Sequence, residues 1–516
     1  MSHTGAPRRA RPVARTACRA TASAAALVAA LLAAPAAQAL SADTVWEAWV
    51  AYNEGAGAVT TPGALERDGD TLTVRDVDIV IDADGTDITL SIDEIVFTEQ
   101  GDDTVDVRMT NVYDMVVTGN GNRAVIEMRH PGLELSVAAS DTGLLHSFTS
   151  PELTVALKEA DLVDGPEDWA MRITGLGASG SYDIPNDPGG PLSTDMRIGA
   201  VDVVVAFADG DDALDLSYAI TGLGLRFAGA GLDQTERLEM GDMAGALAAG
   251  FALAFGFDYD TLRYRFDFSE DGERNAASGT GMNGSTELRF DSTELSFSST
   301  SRNVEITLAG AELPVPELAM SAAQLGYGLR LPVSGSEDAQ DVSLLVRLVD
   351  AVVPPEVWEM ADPAGALQRG PATLVLDLAG QVRLPADLFG METMFAFMMD
   401  MPFQAVEPLA LEIRELLLRA AGAELTGNGA FTFDASDLET FEGVPRPAGT
   451  LNLRLQGGNT LLDTLVGMGM IPEDQAMGAR MLLALFARPG QGPDELLSTL
   501  EVREDGGVFA NDMRLQ

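Results

Sequence analysis

Between Leu72 and Val112 the order of apolar and polar positions repeats one phrase: apolar, polar, apolar, any residue, acid or amide, apolar. It reads Leu72-Thr73-Val74-Arg75-Asp76-Val77, then Leu90-Ser91-Ile92-Asp93-Glu94-Ile95, then Val107-Arg108-Met109-Thr110-Asn111-Val112. It returns far downstream as Leu411-Glu412-Ile413-Arg414-Glu415-Leu416. A period of two with a one-residue slip suits a half-buried strand carrying a bulge, because the extra residue restores the apolar face after the kink. The pattern predicts a mainly β chain with a few short helices, a β-rich α+β protein. Its extended, twisted antiparallel sheets are built from repeated bulged strands and hairpins. The copies at 72, 90 and 107 are expected on neighbouring strands, with their second apolar residues on a common face.

Asp-Gly or Asn-Gly pairs at 68, 84, 120, 164, 209, 271, 283, 428 and 505 add hairpin signals. Phe251, Leu253, Phe255, Phe257 and Tyr259 alternate with small or acidic residues and are answered by Leu262, Tyr264, Phe266 and Phe268. This predicts an aromatic hairpin turning near Asp260. Gly427-Asn428-Gly429 is read as separating two strands, and 342–348 fits either a strand or a buried helix. Helical spacing is confined to short stretches. One follows Ser41 and puts Trp46 and Trp49 on one core-facing stripe; another covers 240–250. A third is expected from Asp362-Pro363 towards Gln368, and two more span 460–468 and the stretch from Pro472 to Arg488. No Pro/Ser linker breaks the chain, which suggests one elongated or two-lobed body, divided if two-lobed into β-rich lobes at 40–250 and 251–516, the second with helices near 460–488.

Residues 1–39 read as an address rather than as structure. Arg8, Arg9, Arg11, Arg15 and Arg19 precede an Ala/Leu run, and Ala37-Gln38-Ala39 offers a cleavage site, so export to the periplasm with cleavage after Ala39 is expected. Arg8-Arg9 leaves Sec and twin-arginine export both open. Removing the five arginines takes the formal charge from -47 to -52. Such a polyanion repels phosphate backbones, which excludes nucleic acid as a partner. The single cysteine, Cys18, leaves with the address, so disulfides, thiol catalysis and thiolate metal sites are excluded.

The C-terminal residues resemble an envelope family of Gram-negative bacteria catalogued as domain of unknown function twenty-one twenty-five. Val45-Trp46, the Trp358 segment leading to Asp362-Pro363, 422–427, 475–481 and the closing Ala510-Asn511 carry the resemblance over nearly the whole mature chain; Asp512-Met513 departs from its usual Gly-Gln. The resemblance implies location and architecture, with no agreed activity. More distantly the strand pattern looks like that of AsmA-type envelope proteins, whose sheets curl into lipid-accommodating grooves.

No stretch supplies a catalytic constellation. Gly175–Gly180 and Gly279–Gly284 match the dinucleotide fingerprint, yet strand-like runs follow where a helix is needed, so hairpin-turn glycines explain both. Asp82, Asp84 and Asp87 lack the twelfth-position acid of a calcium loop. His146-Ser147 has no nucleophile elbow or positioned acid, and Lys158, the sole lysine, is expected to snorkel. Met391, Met394, Met398, Met399 and Met401 are interleaved with Phe395, Phe397 and Phe403, which favours an adaptable apolar surface over copper capture. No catalytic residue, metal or cofactor is therefore assigned. Phe251, Phe255, Phe257, Tyr264 and Phe266, with Met394, Phe397 and Met398, are expected to line one apolar concavity for a lipid or other apolar ligand. The alternatives are a structural or protein-interaction scaffold with an envelope protein partner and, more remotely, a hydrolase with acidic catalytic residues.

Overall fold

The computed structural model describes residues 40–83, 85–163, 165–166, 168–186, 190–270, 272–399 and 405–515. Strand makes up 63% and helix 14%, and the strands pair antiparallel, as the period-two pattern requires. The address at 1–39, Asp84, Met401 and Phe403 lie outside the described residues. The chain forms two compact units. Among the described residues, one holds those up to Pro151 with those in 158–163 and 181–190; the other holds those in 152–157, 164–180 and from Pro191 on. The division falls between 151 and 191, upstream of the change of pattern at 250. The reason is that the short helices before residue 250 do not interrupt the ladder, whose flanking strands pair directly from Ala213↔Ser269 to Ala230↔Ala252.

The first unit contains α1 (Ala42–Gly55), β1 (Ala58–Asp68), β2 (Thr71–Ala83), β3 (Thr86–Glu99), β4 (Thr104–Met109), β5 (Val112–Gly119), β6 (Asn122–Arg129) and β7 (Glu134–Ala139). Two long strands, β8 (Gly143–Asp161) and β9 (Asp168–Pro185), contribute residues to both units. Ser41 caps α1 by accepting from the Thr44 N–H at 3.1 Å. The helix turns Trp46 and Trp49 onto Phe97, with ring centroids 6.1 and 4.9 Å away. Both tryptophans are core, as their stripe predicts.

The repeated phrase lies on neighbouring strands: β3 pairs with β2 on one side and with β4 and β5 on the other. The copies on β2 and β3 slip at facing positions, so the register is continuous from Arg75↔Glu94 to Val77↔Ile92. Asp76 takes up the kink at φ 50°, while Val74, Val77, Ile92 and Ile95 all stay in the core. In the third copy the slip becomes a strand break. Ile95 faces Met109 and Ser91 faces Asp114, a one-residue change of register bridged by the Thr110 hydroxyl accepting from the Glu94 N–H.

The second unit continues with β10 (Leu192–Asp209), β11 (Asp212–Ala230), α2 (Thr235–Glu239), α3 (Met243–Ala248), β12 (Ala252–Glu270), β13 (Glu273–Phe290), β14 (Glu294–Gly310), β15 (Glu317–Pro332) and β16 (Ser336–Ala351). There follow α4 (Pro355–Ala361), β17 (Ala372–Leu384), α5 (Met391–Met398), β18 (Glu407–Ala420), β19 (Ala423–Asp434) and β20 (Arg446–Gln456). The chain ends with α6 (Gly458–Gly467), α7 (Glu473–Phe486), β21 (Arg488–Pro489), β22 (Glu495–Val502), β23 (Val508–Ala510) and β24 (Met513–Arg514). From β10 to β20 each strand pairs antiparallel with the next, and β20 passes on to β22.

Four expectations are corrected here. The aromatic hairpin is instead one continuous strand, β12, which kinks at Asp260 without turning. Its register against β11 is the same at Gly224↔Asp258 and Thr221↔Thr261, so Gly222 faces Asp260. Gly222 adopts φ 63°, and a Cβ there would come within 2.3 Å of the Asp260 carboxylate. Asn283, Asn303 and Asp350 continue the kinks on β13, β14 and β16 with φ between 47° and 49°. This row also explains the second and third corrections. Asn283-Gly284 and Asn428-Gly429 lie inside strands β13 and β19, and the two glycine-rich fingerprints lie inside β9 and β13; none of them forms a hairpin turn. Fourth, the helix expected after Asp362-Pro363 lies before it. Pro355 opens α4, and the buried Asp362 carboxylate ends it by accepting from the Ala366 and Leu367 N–H groups, both at 2.9 Å. The ambiguous 342–348 stretch is strand.

Candidate functional site

Directly opposed residues of an antiparallel pair share a face, so the registers trace one face of the second unit strand by strand. Phe255 opposes Phe227 on β11 and Leu288 on β13; Leu288 opposes Phe297, and Phe297 opposes Leu329. Leu329 opposes Leu344, Leu344 opposes Leu378, and Leu378 opposes Ile413. Beyond the kink the same face carries Tyr218, Tyr264 and Gly279 in one row. It is mostly apolar, interrupted by Thr286 and Ser299, which oppose Phe257 and Tyr327. The opposite face carries Arg226, Asp258, Arg263, Asp267, Arg289 and Glu305. The kink keeps this separation, since Tyr259 and Leu262 on either side of it are both apolar-face residues.

This apolar face is open. Tyr218, Phe255, Phe266, Tyr327, Leu344 and Leu418 all lie on it and are all exposed, Tyr327 to 53%. By contrast, of the eleven largest fully buried side chains ten lie in the first unit and only Leu384 in the second. The first unit closes over its core, whereas the second leaves large side chains half-covered. Aromatic rings meet along the face: Tyr218 and Tyr264 at 6.1 Å, Phe257 and Tyr259 at 5.7 Å, and Phe297 and Tyr327 at 5.3 Å. Tyr259 lies over Gly284, where a Cβ would come within 2.0 Å of the ring. Burial, with Tyr218 as a smaller contributor, raises the Tyr264 phenol above its usual range, so it stays neutral.

The sequence-predicted residues divide between the face and its end. Phe255, Phe257, Tyr264 and Phe266 lie on the apolar face of β12. Phe251, just ahead of it, meets Phe290 edge-on at 6.2 Å, and Phe290 meets Phe389 at 5.6 Å. Phe389 leads into α5, where Met394, Phe397 and Met398 are exposed. Tyr218, Tyr327, Leu329, Leu344 and Leu374 lie on the same face and are not among the sequence-predicted residues. The signal was present: Leu318, Met320 and Ala322, then Leu325, Tyr327, Leu329 and Leu331 repeat the alternation with its slip.

Shallow grooves follow the charged side chains of the sheet. One, of about 610 Å³, is lined by Arg226, Glu287, Arg289, Glu294 and Arg330 together with Phe227, Phe255, Leu288, Phe297 and Leu329. The other, of about 450 Å³, involves Trp169, Asp215, Asp267 and Arg274. Their cations are already neutralised. Arg226 meets Asp258 at 2.6 Å, Arg330 meets Glu294 at 2.7 Å, and Arg289 meets Asp291 at 2.9 Å. Hydrogen bonds from Arg274 and then Arg265 lower the Asp267 carboxyl to about 2, against an opposing burial effect. These are ion-pair ladders along strands, with no spare cation aimed at a ligand.

Elsewhere His146 is fully buried, stacked on Tyr182 at 4.7 Å with 7° between the rings. Ser147, the next residue on β8, is exposed and opposes Ser136, so the two side chains leave opposite faces and form no dyad. Lys158 pairs with Asp114 at 2.9 Å. Among the described residues no group of three or more His, Cys, Asp or Glu side chains is placed to hold a metal ion. Among them, too, no helix is long and apolar enough to cross a membrane.

Residues 260–515 match the family described as an uncharacterized protein conserved in bacteria, DUF2125. Over these residues the chain resembles DUF2125. The DUF2125 match begins within β12 and includes the Trp358 to Pro363 segment, 422–427, 475–481 and Ala510-Asn511, whereas Val45-Trp46 lies outside it. Within the DUF2125 segment Asn511 is structural, because it accepts from the Thr499 N–H at 2.9 Å and donates to the Phe486 carbonyl at 3.0 Å, tying the end of α7 to β22. No curated protein and no solved structure matches the chain.

Proposed function

We propose that this is an exported periplasmic protein, without enzymatic activity, that holds the acyl chains of lipids against the apolar face of its second unit. The observation that carries the reading is the concentration of half-exposed Tyr, Phe and Leu side chains on one face from β11 to β18. Soluble proteins rarely leave so large a contiguous apolar surface uncovered unless it binds something. Seven inter-strand steps of about 4.8 Å make the strip roughly 34 Å wide, which suits long flexible chains better than one compact molecule. Export rests on the basic and apolar character of residues 1–39 and on the small-residue site at Ala39. The test is lipid extraction and mass spectrometry of protein purified from the envelope without detergent, repeated with Tyr327→Asp. The reading predicts co-purifying diacyl lipid from wild type and its loss from the variant. Protein free of lipid in both preparations, but holding an envelope protein through this face, would replace it with the scaffold reading.

A further inference from the structure

We propose that α5 is the element through which this protein touches a bilayer surface, inserting shallowly into zwitterionic phospholipid beside the end of the apolar face. The proposal deepens the acyl-chain reading by naming where lipid reaches that face. The helix is firmly mounted. Thr393, its one buried residue, donates its hydroxyl to the Asp387 carbonyl at 2.8 Å; the Asp387 carboxylate accepts from the Gly335 N–H at 2.8 Å, and the Leu388 N–H donates to the Val333 carbonyl at 2.8 Å. From that base Met391, Met394, Phe395, Phe397 and Met398 project into solvent, Met391 and Met398 exposed to 89% and 81%. Glu392 is the only charge on the helix. Phe389, one residue ahead of the Gly390 that opens α5, is joined through Phe290 to Phe251 at the start of β12, so apolar side chains continue from the helix onto the sheet.

Eight residues make a helix about 12 Å long, far too short to span a bilayer but suited to its interface. A strip about 12 Å long and 10 Å wide falls well below the ~800 Å² per partner of a stable protein interface, which disfavours a second copy. A chain of formal charge -47 is repelled by anionic surfaces, which leaves neutral and zwitterionic ones.

The test is flotation of the full chain with vesicles of phosphatidylcholine alone, and of phosphatidylcholine with about a third phosphatidylglycerol at low salt. Each sample is paired with binding of a short-chain fluorescent phospholipid kept monomeric. Wild type should float with the zwitterionic vesicles and less with the anionic ones. The double variant Met391→Asp, Phe395→Asp should lose at least about tenfold in vesicle binding while binding the monomeric probe as wild type does. Met391→Ala, Phe395→Ala repeats the loss without added charge, and both sites are exposed enough to leave folding intact. Equal flotation of wild type and variants, stronger binding to the anionic vesicles, or self-association abolished by the variants would each overturn the proposal. Normal vesicle binding with no uptake of the monomeric probe would uphold the membrane contact and overturn the acyl-chain reading.

Discussion

Acidification should destabilise the first unit through His146. Its ring is fully buried against Tyr182, and neither ring nitrogen has a hydrogen-bond partner. Burial lowers its pKa from 6.5 to about 3, only partly offset by the backbone at Leu144 and Tyr182. A group whose folded pKa is depressed in this way binds protons better when unfolded. Its contribution to stability is therefore complete above 6.5 and falls as the pH drops from 6.5 towards 3. Between pH 7 and pH 5 the expected loss is about 2 kcal/mol. Urea unfolding followed by the fluorescence of Trp46 and Trp49, which lie in the same unit, measures it. Because the many carboxylates also titrate, the informative quantity is the difference between wild type and His146→Phe, which keeps a ring against Tyr182 and removes the proton site. The variant should lack the loss of about 2 kcal/mol and should match or exceed wild-type stability at pH 7, since it relieves two unsatisfied buried nitrogens. Identical pH dependence in the two proteins would refute the reasoning.

Other substitutions separate core from open face. Phe97→Ala should cost about 3–5 kcal/mol in urea unfolding because it empties the space beneath both tryptophans, whereas Tyr327→Asp should cost about 1 kcal/mol and abolish lipid uptake. Asn283→Ala should cost about 1 kcal/mol because its φ of 47° is strained for alanine, while Asn283→Gly should be nearly neutral by thermal unfolding. Asn511→Ala removes two bonds to backbone and should speed hydrogen exchange at the end of α7 while leaving β2 and β3 protected, which mass spectrometry can resolve.

Much of this fold is written locally. The period of two named the strands, the one-residue slip named the kinks, and Ser41 with its two tryptophans named the capping helix, because each depends on side chains only a few positions apart. The bulge in Leu411–Leu416 is found where the phrase places it, with β18 changing register against both β17 and β19.

What the sequence could not decide was whether a slip bends a strand or ends it. The residues around Asp260 fit a hairpin and a kink equally well; the outcome rests on Gly222 and Asn283, which come from other strands and supply the backbone freedom beside it. The same holds for Asn283-Gly284 and Asn428-Gly429, turn-forming pairs held in extended strands by ladders on both sides. Openness is also a tertiary property. Leu72 and Leu344 both belong to alternating runs, yet Leu72 is buried and Leu344 exposed, because the first unit covers Leu72 with further side chains and the second leaves Leu344 uncovered. A side chain's face is fixed by its own strand, but its exposure is fixed by what the rest of the chain lays across it.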